Sequence, residues 1–457
     1  MAFSASVLGS SNPDFLTFQT PNLGGTSLLM EGFQGDDTLE SSVDLDGASI
    51  TGGQGNDSIF IDEQNGEQFS VLNSTVKGGD GADSLNIGWF YGFVTDWVSN
   101  FTNMNSGNDS IVASTETISD STFQGGQGDD TIYLYTELAQ NGNLIGGNLG
   151  NDSIWLDSAD NVDPGIVDTT VNGGQGDDTI LTYYEDGVSN SIFSGDLGND
   201  SIYLYYTDTS DVTVRGGDGA DTINSWYQYD DGNDALFING NAGNDSIYFY
   251  DIDTVDSTVQ GGQGDDTIIV ENYDFYDNVV NGNLGNDSIY VYDTYVDGST
   301  FFGGQGQDTI DLSYGLTRDG NATVSGNIGA DLLIGYEFAD ISFFYRYGDT
   351  EVNASGAGRD TIEYFDGGDN ISVVGGVGSL AILNTTSLNN FITEAAGSLN
   401  SGAAFQWYDD LVDSTYVFIS DGSGSLNSAD VLVQVLDSEK VDAPYVFELD
   451  DGKLVLV

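Results

Sequence analysis

From Gly32 to Ile362 the chain runs in short alternations of apolar and polar residues, broken by polar, glycine-rich turns. Such patterning predicts short β-strands. In the stretch from Gly261 to Gly282 the first strand is Thr267-Ile268-Ile269-Val270, a polar stretch from Asp274 to Asp277 turns the chain, and Val279-Val280 leads back. Middle turns of the same kind fall at Asn141-Gly142, Asp186-Gly187, Asp231-Gly232 and Asp297-Gly298. Residues 1–31 alternate only weakly, at Val7-Leu8 and Phe15 to Phe18, and are expected to cap the first coil. Residues 364–457 differ again. Leu388, Phe391, Ile392, Ala395, Ala396 and Leu399 have helical spacing within Ser387 to Leu399, and strands are expected at Tyr416 to Ile419, Val431 to Val435, Tyr445 to Phe447 and Leu454 to Val457.

The turns of the long middle segment share one phrase, written fifteen times with variations: Gly-Gly-X-Gly, a small polar residue, then Asp-Thr/Ser-Ile. Residues 125–132 and 261–268 are identical copies, and intervals between successive copies run from 20 to 29 residues. A period in this range means stacked coils, so length does not count globular domains here. Two strands per coil of about 22 residues predict an all-β, parallel β-solenoid with a small C-terminal cap, in segments 1–31, 32–363 and 364–457.

A second order overlies the first. Gly-Gly-Gln/Asp-Gly turns (173–176, 216–219, 303–306) alternate with turns whose second glycine is Asn or Asp (147–150, 195–198, 282–285). Asn and Asp best tolerate positive φ, so the turn survives. Either neighbouring coils differ along one edge, which the middle turns favour, or a coil of about 43 residues puts the two types on opposite edges.

Composition narrows the chemistry. Seven basic residues face 74 acidic ones, for a net charge of −67. That field repels nucleic acid and anionic membranes and attracts cations. With 39% hydrophobic residues the chain is too apolar for a disordered acidic tail. There is no cysteine for disulfides, and no histidine for an imidazole base, a Ser-His-Asp triad or a His-bound metal. Met1 to Ser10 lacks the pattern of a Sec signal peptide, and no stretch of eighteen apolar residues would cross a membrane.

In each turn the glycines let carbonyl oxygens converge, and position six supplies a carboxylate. An oxygen-only ligand set on a flexible frame suits Ca2+ better than Mg2+. The phrase closely resembles the Gly-Gly-X-Gly-X-Asp-X-U-X nonapeptide of RTX (repeats-in-toxin) proteins, the calcium-binding parallel β-roll family. By that resemblance the ions lie between turns of successive coils. The ligands would include Asp57, Asp83, Asp130, Asp152, Asp178, Asp200, Asp221, Asp245, Asp266, Asp287 and Asp308, with Asp37, Asp109, Asp331 and Asp360 in degraded copies. RTX proteins space the motif every nine residues and bind ions on both edges. One motif per coil would line a single edge.

After many motifs tyrosines alternate with buried-type residues. Inward isoleucines would send Tyr133, Tyr135, Tyr203, Tyr205, Tyr248, Tyr250, Tyr290 and Tyr292 outward. These rows either brace the sheet as cross-strand pairs or form a face that meets another subunit or sugars.

The repeat occupies most of the chain, so the expected function is that of a secreted, extracellular, calcium-binding structural protein. It would self-assemble into a surface layer, fibre or matrix as a homo-oligomer or polymer, with no nucleic acid partner and no membrane insertion. The resemblance implies type I secretion, and Asp430 to Val433 and Lys453 to Val457 resemble its C-terminal signal. The alternative is a calcium-dependent adhesin or glycan-binding module whose partner is a cell-surface polysaccharide. An enzyme is not expected, since each candidate carboxylate pair also fits a calcium turn. An ice-binding face would need a regular outward Thr/Asn stripe, which Gln127, Leu149 and Leu197 interrupt.

Overall fold

A computed structural model describes residues 5–18, 27–62, 69–88, 94–159, 165–183, 187–205, 209–226, 233–250, 254–271, 274–316, 320–336, 339–350, 356–383, 385–398, 400–427, 429–436 and 447–456. It forms two compact units, 1–231 with 235–237, and 232–234 with 238–457.

In the first unit each coil contributes one strand to each of two parallel sheets. Strands Thr122–Gln127, Leu144–Leu149, Thr170–Gln175, Ile192–Leu197 and Thr213–Asp218 pair in sequence order in one sheet. Thr131–Asn141, Ser153–Ser158, Thr179–Tyr183, Ser201–Tyr205 and Thr222–Trp226 do so in the other. Thr122 lies opposite Leu144 and Ile132 opposite Ile154, so one motif makes one coil, and the 43-residue alternative does not hold.

Register puts like residues in columns. Ile111, Ile132, Ile154, Ile180, Ile202 and Ile223 stack in the core with at most 1% exposure. Each buried isoleucine contributes about 1.5–3 kcal/mol. Facing them are Phe123, Ile145, Val171, Phe193 and Val214, also in register. The alternate residues point outward as expected: Tyr133, Tyr135, Tyr203 and Tyr205 are half-buried.

The N-terminal segment is more than a covering strand. Ala5–Leu8 pairs with Leu28–Gln34 and Phe15–Phe18 with Thr38–Ser41, which makes it a coil with strands in both sheets.

The second unit repeats the plan with Thr258–Gln263, Val279–Leu284 and Ser299–Gly306 in one sheet, and Ser246–Tyr250, Thr267–Glu271 and Ser288–Asp297 in the other. Tyr248, Tyr290 and Tyr292 are half-buried and Tyr250 exposed, while Ile247, Ile268 and Ile289 are buried. Beyond the array a helix, Leu388–Ala396, starts where Ser387 accepts the Asn390 N–H. Its buried face, Phe391, Ile392, Ala395 and Ala396, packs with Trp407, Tyr416, Phe418 and Leu432. These lie on the antiparallel strands Ala403–Asp409, Ser414–Ser420 and Val431–Leu436. Val431–Leu436 pairs with the array strand Asp360–Glu363, and Lys453–Leu456 pairs with Asn370–Val373. Among the expected features, Met1 to Ser4, Asp186, Asp231-Gly232, Leu399, Tyr445 and Val457 lie outside the described residues.

The middle turns share one position. In the coil of Asp178 Asn190, with φ +49°, stands where Gly142 stands in the coil of Asp130, and Gly187, with φ +100°, precedes it by three residues. Asn73, Ser99, Asp120, Asp168 and Asp211 turn theirs in the same one-residue way. A single left-handed residue suffices, so these turns do not need the glycine that marks Asn141-Gly142.

Candidate metal centre

Each motif divides its glycines between two tasks. Positions two and four carry positive φ, as at Gly126 (+121°) and Gly128 (+122°). Where position two is Asn or Asp, at Asn105, Asn148, Asp196, Asn241, Asn283 and Asn327, φ lies between +64° and +83°, as the substitution pattern implies, and Phe33 holds +81°. Position one is glycine in all copies but those of Asp109 and Asp360, where Met104 and Ser355 stand, and the glycines have little space beside them. A Cβ on Gly303 would lie 2.5 Å from Asp308 Oδ2 and 2.8 Å from the Gly326 carbonyl oxygen of the following coil. A Cβ on Gly173 would likewise lie 2.8 Å from the Gly195 carbonyl oxygen. The glycines thus hold open small spaces walled by a carboxylate oxygen and a carbonyl from the next coil.

The position-six carboxylates form a ladder. In the first unit the main-chain N–H groups of Asp37, Asp57, Asp83, Asp109, Asp130, Asp152, Asp178 and Asp200 each donate to Oδ1 of the next Asp in the series, at 2.7–2.8 Å, ending on Asp221. In the second unit Asp245, Asp266, Asp287 and Asp308 donate in the same way at 2.8 Å, and Asp331 donates to Asp360 at 3.0 Å. The degraded copies therefore keep their places. All fifteen residues are at most 3% exposed.

Oδ2 is different. In every position-six Asp from Asp37 to Asp200 and from Asp266 to Asp331 it is buried and has no hydrogen-bond partner. A buried carboxylate oxygen without a donor is costly unless a cation meets it. Burial pushes the carboxyls of Asp109, Asp152, Asp200 and Asp287 up to about 6, those of Asp83, Asp130, Asp266 and Asp308 to about 7, and those of Asp178 and Asp331 to about 8. Among the described residues no three acidic side chains cluster as a metal site. Carboxylates arrive singly, coil by coil, so a cation here would take most of its oxygens from the main chain. Buried orphan oxygens, glycine-held spaces and an all-oxygen donor set fit Ca2+.

Sequence reasoning missed three parts of this arrangement. Asp14 stands five residues after Gly9, the same interval as Gly32 to Asp37, and its N–H donates to Asp37 Oδ1 at 2.7 Å. Only that interval marks it, since Ser10 and Asn12 replace the other turn glycines.

Position five forms a second, exposed ladder running the other way. Asn151 N–H donates to Asp129 Oδ1, Asp177 N–H to Asn151 Oδ1 and Asn199 N–H to Asp177 Oδ1, at 2.7–2.8 Å.

The opposite edge carries a neutral counterpart. Ser74 N–H donates to Asn100 Oδ1, Asn100 N–H to Ser121 Oγ, Ser121 N–H to Asn143 Oδ1 and Thr169 N–H to Ser191 Oγ, at 2.7–3.1 Å. Asn100 and Asn143 also donate through Nδ2 to the Val71 and Ile118 carbonyls. That ladder is satisfied without charge.

The family model for the RTX calcium-binding nonapeptide repeat matches residues 49–66, 117–135, 204–226, 256–271 and 274–293. The chain carries RTX-type repeats on a parallel β-solenoid. Its RTX repeats bind multiple Ca2+ ions. No curated protein matches the chain. Among solved structures, this RTX chain is similar to a hyperactive, Ca2+-dependent, β-helical antifreeze protein from an Antarctic bacterium, at 16% identity and TM-score 0.41, over 70% of this chain and 83% of that one. It is also similar to the tailspike protein of an E. coli bacteriophage in complex with a hexasaccharide, at 11% identity and TM-score 0.22, over 97% and 82%. Among the described residues no helix is long and apolar enough to cross a membrane.

Proposed function

We propose that this RTX solenoid is a secreted, calcium-stabilised structural protein that self-assembles into a surface layer, fibre or extracellular matrix. Its ions sit between successive turns of one edge, held by the fifteen position-six Asp residues and nearby carbonyls. Residues 1–31 and 364–457 flank the array of 32–363 as caps, and the C-terminal part carries the type I secretion signal.

The observation that supports assembly is the surface made by the two turn types. On the outer face of the sheet before the turn, register places Gln127, Leu149, Gln175, Leu197 and Asp218 in one column of the first unit. A second column, Thr122, Leu144, Thr170, Ile192 and Thr213, alternates in phase with it. Every second coil thus shows a pair of apolar side chains, and Leu144, Leu149 and Leu197 are 39–45% exposed. In the second unit Gln263, Leu284, Gln305 and Ile328 continue the pattern, with Leu284 and Ile328 about as exposed. Strands lie about 4.8 Å apart, so apolar rungs recur at about 9.6 Å. A surface with that repeat is matched over its length by another copy of the same chain.

Electron microscopy in millimolar calcium tests the reading. Lattices or filaments are expected, absent in excess chelator, and lost in a Leu149→Asn, Leu197→Asn, Leu284→Asn variant whose circular dichroism is unchanged. Dispersed single particles of the unaltered protein in calcium would refute it.

A further inference from the structure

The outer face of the other sheet in the first unit has a dip in its aromatic surface. Two columns run side by side there. One reads Tyr133, Trp155, Leu181, Tyr203, and the other Tyr135, Asp157, Tyr183, Tyr205, Trp226. The rings stop at two adjacent places, Leu181 and Asp157, and the smaller side chains leave a depression of about 470 Å3. Tyr133 and Trp155 wall one side, edge to face with centroids 6.5 Å apart. Tyr183, Tyr205 and Trp226 form the other, in register on three successive coils, with Tyr205 and Trp226 at 5.5 Å. Trp155, Tyr183 and Trp226 remain 37–46% exposed. The Tyr133 hydroxyl donates to Asp157 Oδ2 at 2.8 Å, which holds the carboxylate at the rim.

We propose that this dip binds a neutral polysaccharide, with the C–H faces of its pyranose rings stacked on Tyr183, Tyr205 and Trp226 and its hydroxyls donating to Asp157. No Lys or Arg lines the depression, and the chain carries a net charge of −67, so anionic ligands are repelled. A cation would suit the charge. But a sheet face offers a floor and low walls, whereas an ammonium ion gains most where rings enclose it and shed its water. A sugar needs only one open ring face at a time, and the volume falls in the usual range for a ligand site. The column also follows the coil axis at about 4.8 Å per step, so an extended chain could pass from one ring to the next. This surface lies on the other sheet from the apolar rungs, and the proposal does not depend on assembly.

Native affinity electrophoresis in millimolar calcium tests it, on gels containing soluble neutral glucans, mannans or galactans, with alginate and choline as controls. Retardation by at least one neutral polysaccharide is expected, with none by alginate and no release by choline. Tyr183→Ala and Trp226→Ala should each weaken binding about tenfold, the scale of a lost aromatic stacking contact. Their circular dichroism and calcium response should match the parent. The proposal fails if no neutral polysaccharide retards the protein, if choline displaces the one that does, or if folded Trp155→Ala, Tyr183→Ala, Trp226→Ala protein is retarded as strongly as the parent.

Discussion

The main-chain N–H of Asp130 donates to Oδ1 of Asp152 at 2.7 Å, while Oδ2 of Asp152 stays buried with no donor. One carboxylate therefore does two jobs, joining coils through one oxygen and demanding a cation through the other. Asp152→Asn separates them, because it keeps an acceptor and removes the charge. In calcium the variant should lose about 2–3 kcal/mol, the linkage from one ion at about a hundredfold excess over its dissociation constant. In chelator it should be as stable as the parent or more so. Thermal melts in calcium and, at about pH 5 where the apo array keeps structure, in chelator measure this, and equal destabilisation in the two would remove the cation from the account.

Removing all the calcium should unfold the array. The buried carboxylates from Asp37 to Asp200 would then face one another across single coils without neutralisation. At about pH 8 excess EGTA is expected to abolish the β-type circular dichroism, and calcium to restore it. An unchanged spectrum in EGTA would contradict ligation by these residues.

Protons should partly replace calcium. Burial raises Asp178 and Asp331 to about 8 and Asp83, Asp130 and Asp266 to about 7, well above an unfolded aspartate. Between those values the folded apo chain binds protons that the unfolded chain has released. Its stability is therefore greatest in acid and falls as pH rises through about 6 to 8. In EGTA the β signal should grow between about pH 8 and pH 5, and the gain from added calcium should be largest at the alkaline end. More structure at pH 8 than at pH 5 in chelator would reverse the sign and refute the assignment.

The turn glycines should differ in what replaces them. Gly264 has φ +127°, and an added Cβ would collide with the Gly243 carbonyl oxygen, so Gly264→Ala should cost about 3 kcal/mol or more. Asn283 holds φ +76° without such a demand, so Asn283→Gly should stay within about 1 kcal/mol of the parent. Chemical denaturation in calcium compares them, and equal costs would mean that backbone geometry does not set the turn.

The neutral ladder should be indifferent to calcium. Asn143 receives the Ser121 N–H and donates to the Ile118 carbonyl, and no charge depends on it. Asn143→Ala should lose about 2 kcal/mol, and by the same amount at low and high calcium. A calcium-dependent cost would place ions on both edges.

These contrasts show which parts of the fold can be read from residues. The calcium edge is legible because Gly128 and Asp130 are each the one residue type their place allows, so the same letters return in every coil. The opposite edge is not, since Ser, Asn and Thr all supply a neutral acceptor and Ser74, Asn100, Ser121, Asn143, Thr169 and Ser191 make no fixed word. Asp14 escapes notice because the first coil meets its turn with Ser10 and Asn12 in place of glycine. The aromatic dip is invisible in any single coil and exists only once Asp157 and Leu181 lie beside each other's neighbours.

The two-coil alternation also bears on how such an array can change length. Deleting one coil between Thr122 and Asp218 would set like rungs side by side and break the corrugation, although every hydrogen bond of the Asp ladder could re-form. Deleting or duplicating a pair would leave both patterns intact. The pair of coils is therefore the natural step by which this protein could be lengthened or shortened, in evolution or at the bench.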